Sequence, residues 1–167
     1  NTVTVRMRPA SSGDIHDMHD RTLASAKEPY SVSEVMKRFE IVFGQRPNAE
    51  AEAPGRFIMI GNHTDWAKIG DGLTSGMAID QSTHVAIRLN QNGQVKIYSQ
   101  NIQREHRYYE AILPDDLNEA FLPHDASDPQ KWTDYILGII HFLRQSGIIL
   151  PGMEIYISGN LPQKKGL

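Results

Sequence analysis

The chain has 167 residues, 40% of them hydrophobic and 22% charged, enough for one domain with a hydrophobic core. Its 17 Lys and Arg against 20 Asp and Glu leave a net charge of -3, which argues against nucleic acid or an anionic membrane as a partner. No cysteine is present for disulfides or thiolate chemistry, and no apolar run reaches the roughly 20 residues of a membrane span, so a cytoplasmic location is expected.

Residues 1–30 are polar and mixed and read as a variable N-terminal extension. His16 and His19 would share a helical face at a spacing open to two metal ligands, although two histidines among Asp14, Asp17 and Asp20 read more simply as a solvated face. From Ser31 the pattern sharpens. Ser31 and Glu34 have capping-box spacing, and Val32, Val35, Met36, Phe39, Val42 and Phe43 recur at helical intervals, predicting a helix with one buried face that ends at Gly44. Arg46-Pro47 forces an extended segment toward Ala53-Pro54-Gly55-Arg56, after which Phe57-Ile58-Met59-Ile60, bounded by Gly61, predicts a short buried strand.

Residues 83–89 alternate, residues 95–99 are strand-like, and Asn92-Gly93 between them is a strong hairpin signal, so an antiparallel pair is expected. Periodicity weakens over residues 103–127, where Pro114-Asp115-Asp116 and Pro123-His124-Asp125 mark turns of a surface connection. Asp128-Pro129 offers an N-cap and a first-turn proline for a helix with the apolar stripe Trp132, Tyr135, Ile136, Ile139, Ile140 and Leu143, closed by Gly147. Residues 153–158 predict a last strand that runs into Gly159-Asn160-Leu161-Pro162 and a basic loop. Strands mixed with helices, and a hairpin among them, favour an α+β fold.

Polar chemistry is densest at Gly61-Asn62-His63-Thr64-Asp65-Trp66, at the exit of the predicted strand, where side chains can converge on a ligand while the strand holds them. A carboxylate, an imidazole and an amide together donate and accept in the way a polyhydroxylated ligand requires, although a structural turn satisfies the same residues. Without a nucleophile nearby they do not form a hydrolytic triad. Arg56 reads either as a guanidinium for phosphoryl charge or as a surface arginine. The tail Pro162-Gln163-Lys164-Lys165-Gly166-Leu167 suggests the start of an anion-binding loop, without the Walker pattern.

In sequence, Ala53-Pro54-Gly55-Arg56-Phe57-Ile58-Met59-Ile60-Gly61-Asn62-His63-Thr64-Asp65-Trp66 closely resembles the galactokinase signature A-P-G-R-V-N-L-I-G-E-H-T-D-Y, of the GHMP kinases. Gly76-Met77-Ala78-Ile79-Asp80 is similar to that family's P-M-A-I-D, and Trp132-Thr133-Asp134-Tyr135-Ile136-Leu137-Gly138 to its W-x-N-Y-x-x-G helix. Residues 162–167 resemble the opening of its phosphate loop, P-x-x-x-G-L-S-S-S-A. The resemblance implies an α+β GHMP-kinase N-terminal lobe over residues 31–167, with a mixed, largely antiparallel sheet packed with helices and truncated at the phosphate loop. It further implies transfer of the γ-phosphoryl of ATP, with Mg2+ held beyond Leu167, to the anomeric hydroxyl of galactose or a related sugar.

Carried over by position, Arg56 would assist transfer, Asn62, His63 and Asp65 would contact the sugar, and Ser99, Trp132, Tyr135 and Gly166 would lie toward the nucleotide. Core packing accounts for Trp132 and Tyr135 equally well, since both lie on the apolar stripe. Two places depart from the family pattern. Asn62 replaces a glutamate that holds the C6 hydroxyl, which opens galacturonate or a pentose such as arabinose as the substrate, with Lys68 as a further favourable charge for a uronate. Lys164-Lys165 replaces small residues in the loop. A non-catalytic sugar sensor on the same fold is the alternative, and the chain alone, lacking the second lobe, is expected to be inactive.

Overall fold

The computed structural model describes residues 32–61, 73–114 and 121–162. Helix α1 spans Val32–Phe43 and helix α2 Asp134–Gln145. Strands β1 (Ala49–Ile60), β2 (Ser75–Leu89), β3 (Gln94–Ser99), β4 (Tyr108–Ile112) and β5 (Met153–Gly159) form one sheet in the order β1-β2-β5-β3-β4. Every neighbouring pair is antiparallel except β3 and β5, which run parallel. The mixed, largely antiparallel α+β architecture expected from the sequence is the one formed.

Successive strand side chains point to opposite faces, and β3 and β5 are covered on both. On one face Val35 and Phe39, four residues apart on α1, are buried against Ala86, Tyr98 and Tyr156. Tyr98 and Tyr156 are register neighbours whose rings stack 5.5 Å apart. Arg38 is buried on the same helix and donates to Glu34 at 3.1 Å. Burial works against its charge, but hydrogen bonds to Glu34 and Tyr156 and their nearby charge outweigh that and hold its pKa above the ordinary range. The opposite face packs Val95, Ile97, Met153 and Ile155 with Ile140 of α2, Trp132 and Ile136.

Both helices end as the glycines predict. Gly44 has φ 74° and its N–H donates to Glu40 O at 2.8 Å. At Gly147, with φ 86°, the Ile148 N–H reaches back to Leu143 O and the Gly147 N–H to Arg144 O, the paired bonds of a Schellman motif.

Four local expectations are corrected. Asn92-Gly93 does turn the chain, with Gly93 at φ 70°, but β2 and β3 do not pair. β5 lies between them, and its approach is fixed where Asn90 N–H donates to Gly152 O at 2.8 Å. A turn signal is local and carries no information about a strand some sixty residues downstream. The segment 57–60 is a strand but not a buried one: β1 is an edge strand, and Phe57 is 52% and Ile60 72% exposed.

Within the expected surface connection 103–127 the chain forms β4, whose five residues are too few for a clear alternation. At Asp128-Pro129 the helix does not yet start. Asp128 accepts the Gln130 N–H at 2.7 Å, a 3-10 turn follows over Lys131–Thr133, and α2 begins at Asp134. Because α2 is apolar around most of its circumference, the sequence stripe was broader than any single buried face. Ile136 and Ile140 pack inward, whereas Tyr135 and Ile139 point outward. The N-terminal extension, with Ser31, His16 and His19, lies outside the described residues.

Candidate functional site

The β2–β5 ladder covers only residues 83–89 of β2, so β1 and the first half of β2 continue past the sheet as a two-stranded ribbon. Along this ribbon Pro54 pairs with Ser82 and Arg56 with Ala78, so that Gly55 alone opposes Ile79, Asp80 and Gln81 in an irregular bulge. Gly55 is buried: Leu161 Cδ2 and Ile79 Cδ1 occupy the space a side chain would take. Arg56 follows at once, exposed on the ribbon. The strand ends at Gly61, whose φ of 84° and close approach to the backbone of Leu73 and Thr74 exclude any larger residue. Asn62, His63, Asp65 and Lys68, in the connection to β2, lie outside the described residues, as does Gly166.

Next to the ribbon, β5 leaves the sheet. Its last register pair is Gly159 with Thr83. One residue on, the Asn160 N–H donates to Ser82 O at 3.2 Å, and the Ser82 N–H donates to the Asn160 side-chain oxygen at 2.8 Å. On the other flank the Asn101 side-chain amide donates to Gly159 O at 2.6 Å. Sequence reading marked Gly159-Asn160-Leu161-Pro162 only as a turn and passed over Ser82 and Asn101. An asparagine directly after a strand-ending glycine was the available signal, since its side chain can stand in for a backbone group.

Ser99 and Trp132 are brought together at the same end of the sheet. Ser99, buried as the last residue of β3, donates its N–H to Arg107 O at 2.8 Å, and the Trp132 indole N–H donates to the neighbouring His106 O at 3.0 Å. Trp132 is half-buried in the α2-side core, in agreement with its packing role, while Tyr135 is 81% exposed and takes no part in the core. Asp134, in the first turn of α2, accepts both the backbone N–H and the ring Nδ1–H of His124. The His124 ring meets Tyr109 edge-on, with centroids 5.7 Å apart. Burial raises the Tyr109 phenol above its ordinary range, and the charges of Asp134 and Asp128 push it further.

Chemically, the described residues offer an exposed guanidinium at Arg56, an exposed tyrosine ring at Tyr135, a half-buried indole at Trp132, and a strand exit fixed on both flanks. An exposed aromatic ring can stack on a flat heterocycle, and a guanidinium can pair with phosphate. Among the described residues no group of three or more His, Asp or Glu side chains is placed to hold a metal ion. No helix among them is long and apolar enough to cross a membrane.

Known proteins share both the sequence and the geometry. The galactokinase galactose-binding signature matches residues 37–89, from α1 through β2. A galactokinase of Streptococcus suis is 33% identical over 138 residues, 82% of this chain, and one of Chloroflexus aggregans is 32% identical over 139 residues, 83% of it. The chain spans 32% of the length of each of these relatives. The structure of Lactococcus lactis galactokinase complexed with galactose superposes on 79% of this chain and 31% of its own, with a TM-score of 0.59 and 28% identity.

Proposed function

Because the chain belongs to the galactokinase family, we propose that it forms the sugar-binding part of an ATP-dependent sugar 1-kinase. Residues 31–167 are then part of the kinase N-terminal domain, residues 1–30 a variable extension, and sugar and ATP the small-molecule partners of a cytoplasmic enzyme. The observation that carries this reading is that the matched segment 37–89 contains the whole β1–β2 ribbon, with Arg56 exposed on β1 a few residues before Asn62, His63 and Asp65 in the sequence.

In-line phosphoryl transfer depends on holding the acceptor oxygen in line and on neutralising charge on the moving group. ATP would supply that group to the anomeric hydroxyl. Arg56 stabilises its equatorial oxygens, and Asn62, His63 and Asp65 hold the sugar hydroxyls. Tyr135 stacks on the nucleotide base, Trp132 and Ser99 shape the corner beside it, and Gly166 belongs to the loop that carries the phosphates. Mg2+ would neutralise phosphate charge in the transfer, held by ligands other than the residues named above.

Galactose is the first substrate reading, supported by the signature and by the galactose-bound relative. A second reading is favoured by Asn62, a neutral amide where the family pattern has glutamate, which admits a uronate with its C6 carboxylate or a pentose such as arabinose that lacks C6. Assaying the full-length protein with ATP, Mg2+ and galactose, galacturonate, arabinose and glucose tests both. Transfer to galactose above all others supports the first, and galacturonate or arabinose above galactose the second. Binding of a sugar without transfer would overturn the kinase in favour of a sensor.

A further inference from the structure

We propose that Asn160 is a positioning residue, which fixes the β5 exit against the residues that precede Arg56 and so sets where Arg56 lies; the inference rests on the kinase reading. An antiparallel ladder continued past Gly159 would use both the N–H and the C=O of Asn160 against Ser82. Here only the N–H does so, at 3.2 Å, and the Ser82 N–H is taken instead by the Asn160 side-chain oxygen at 2.8 Å. The side chain substitutes for the main-chain carbonyl, leaving the backbone able to turn out of the sheet without orphaning Ser82. Pro162, which has no N–H, cannot rejoin the ladder.

Two contacts then tie this exit to the residues that flank Arg56. Ser82, held by Asn160, is the register partner of Pro54. Leu161, the next residue, fills the space over Gly55 together with Ile79. Arg56 therefore follows two residues whose positions are each fixed by the β5 exit. A displacement of about 1 Å at a transferring group can cost about a hundredfold in rate, so a tether of this kind belongs to the chemistry rather than to bulk stability.

Among the described residues the Asn160 side chain is held through its oxygen, an acceptor that substitution can remove or keep. Steady-state kinetics of the full-length protein carrying Asn160→Ala, Asn160→Asp and Leu161→Ala test the inference. Asn160→Ala and Leu161→Ala are expected to lower kcat by about tenfold to a hundredfold, with the sugar KM held within about twofold. Asn160→Asp, which keeps the acceptor, is expected to recover most of the lost kcat. Unchanged kcat in Asn160→Ala, no advantage of Asp over Ala, or an equal loss expressed in the sugar KM would overturn the inference. Should Asn160→Ala fail to fold, an unchanged kcat in Leu161→Ala overturns it by itself. A wild-type protein that transfers no phosphoryl group counts against the kinase reading instead.

Discussion

Leu161 lies directly over Gly55, in the space that any side chain at position 55 would claim. The glycine is required by a neighbour more than one hundred residues away and not by its own backbone angles, since it is absent from the positive-φ glycines. We expect Gly55→Ala to destabilise the full-length protein by about 1–3 kcal/mol through overpacking. Combined with Leu161→Ala it should cost less than the sum of the two, a coupling of about 0.5–3 kcal/mol in urea unfolding. Strict additivity would mean that the two residues do not share the space.

Gly152 makes the same argument at the other end of β5. A methyl group there would meet Gln94 N and O at 2.5 Å, both main-chain atoms that cannot swing aside. Gly152→Ala is expected to cost about 3 kcal/mol or more, measured as a drop in denaturation midpoint at constant slope. A change below about 0.5 kcal/mol would place β5 differently from the register described.

Tyr109 supplies the pH dependence. Its folded pKa is raised, by burial first and then by Asp134 and Asp128. The neutral phenol is the favoured folded form, so its stabilisation is fully present below the unfolded pKa of about 10 and is lost as pH rises through the higher folded value. Tyr109→Phe should flatten this alkaline limb, and Asp134→Asn should bring the phenol back toward its ordinary range in an ultraviolet titration. An unmoved titration in Asp134→Asn would remove Asp134 from the set of causes.

Much of this was readable in the sequence, and the failures have physical causes. The alternation of residues 83–89 marked a strand, although its fully buried positions are His84 and Ala86 and not the larger apolar Val85, Ile87 and Leu89, and Gly44 and Gly147 marked both helix ends. These signals are local. Asn92-Gly93 was equally strong as a turn, but which strand lies alongside is decided by β5, which arrives from far along the chain. The Ala-Glu repeat at the start of β1 has little intrinsic preference for strand, and it is extended because β2 pairs with it along its length. At the candidate site, Arg56 was singled out from its motif. Asn160, Asn101 and Ser82 were not, because their value depends on which backbone groups the fold leaves unpaired.

For Arg56 itself, replacement by Ala in the full-length protein should lower kcat by about 10²–10³ while leaving the sugar KM nearly constant, the pattern of a group that acts on transition-state charge. Arg56→Lys should recover only part of it, since a point charge lacks the planar fork. Equal activity of the Ala variant would assign Arg56 to the surface.

On the proposed kinase reading, this chain serves transfer of a phosphoryl group to an anomeric oxygen. Phosphorus NMR of the product formed by the full-length protein from ATP and its preferred sugar tests this most directly. The account predicts a sugar 1-phosphate, with the phosphorus coupled to the anomeric proton; phosphate on any other carbon, or on no sugar at all, would contradict it.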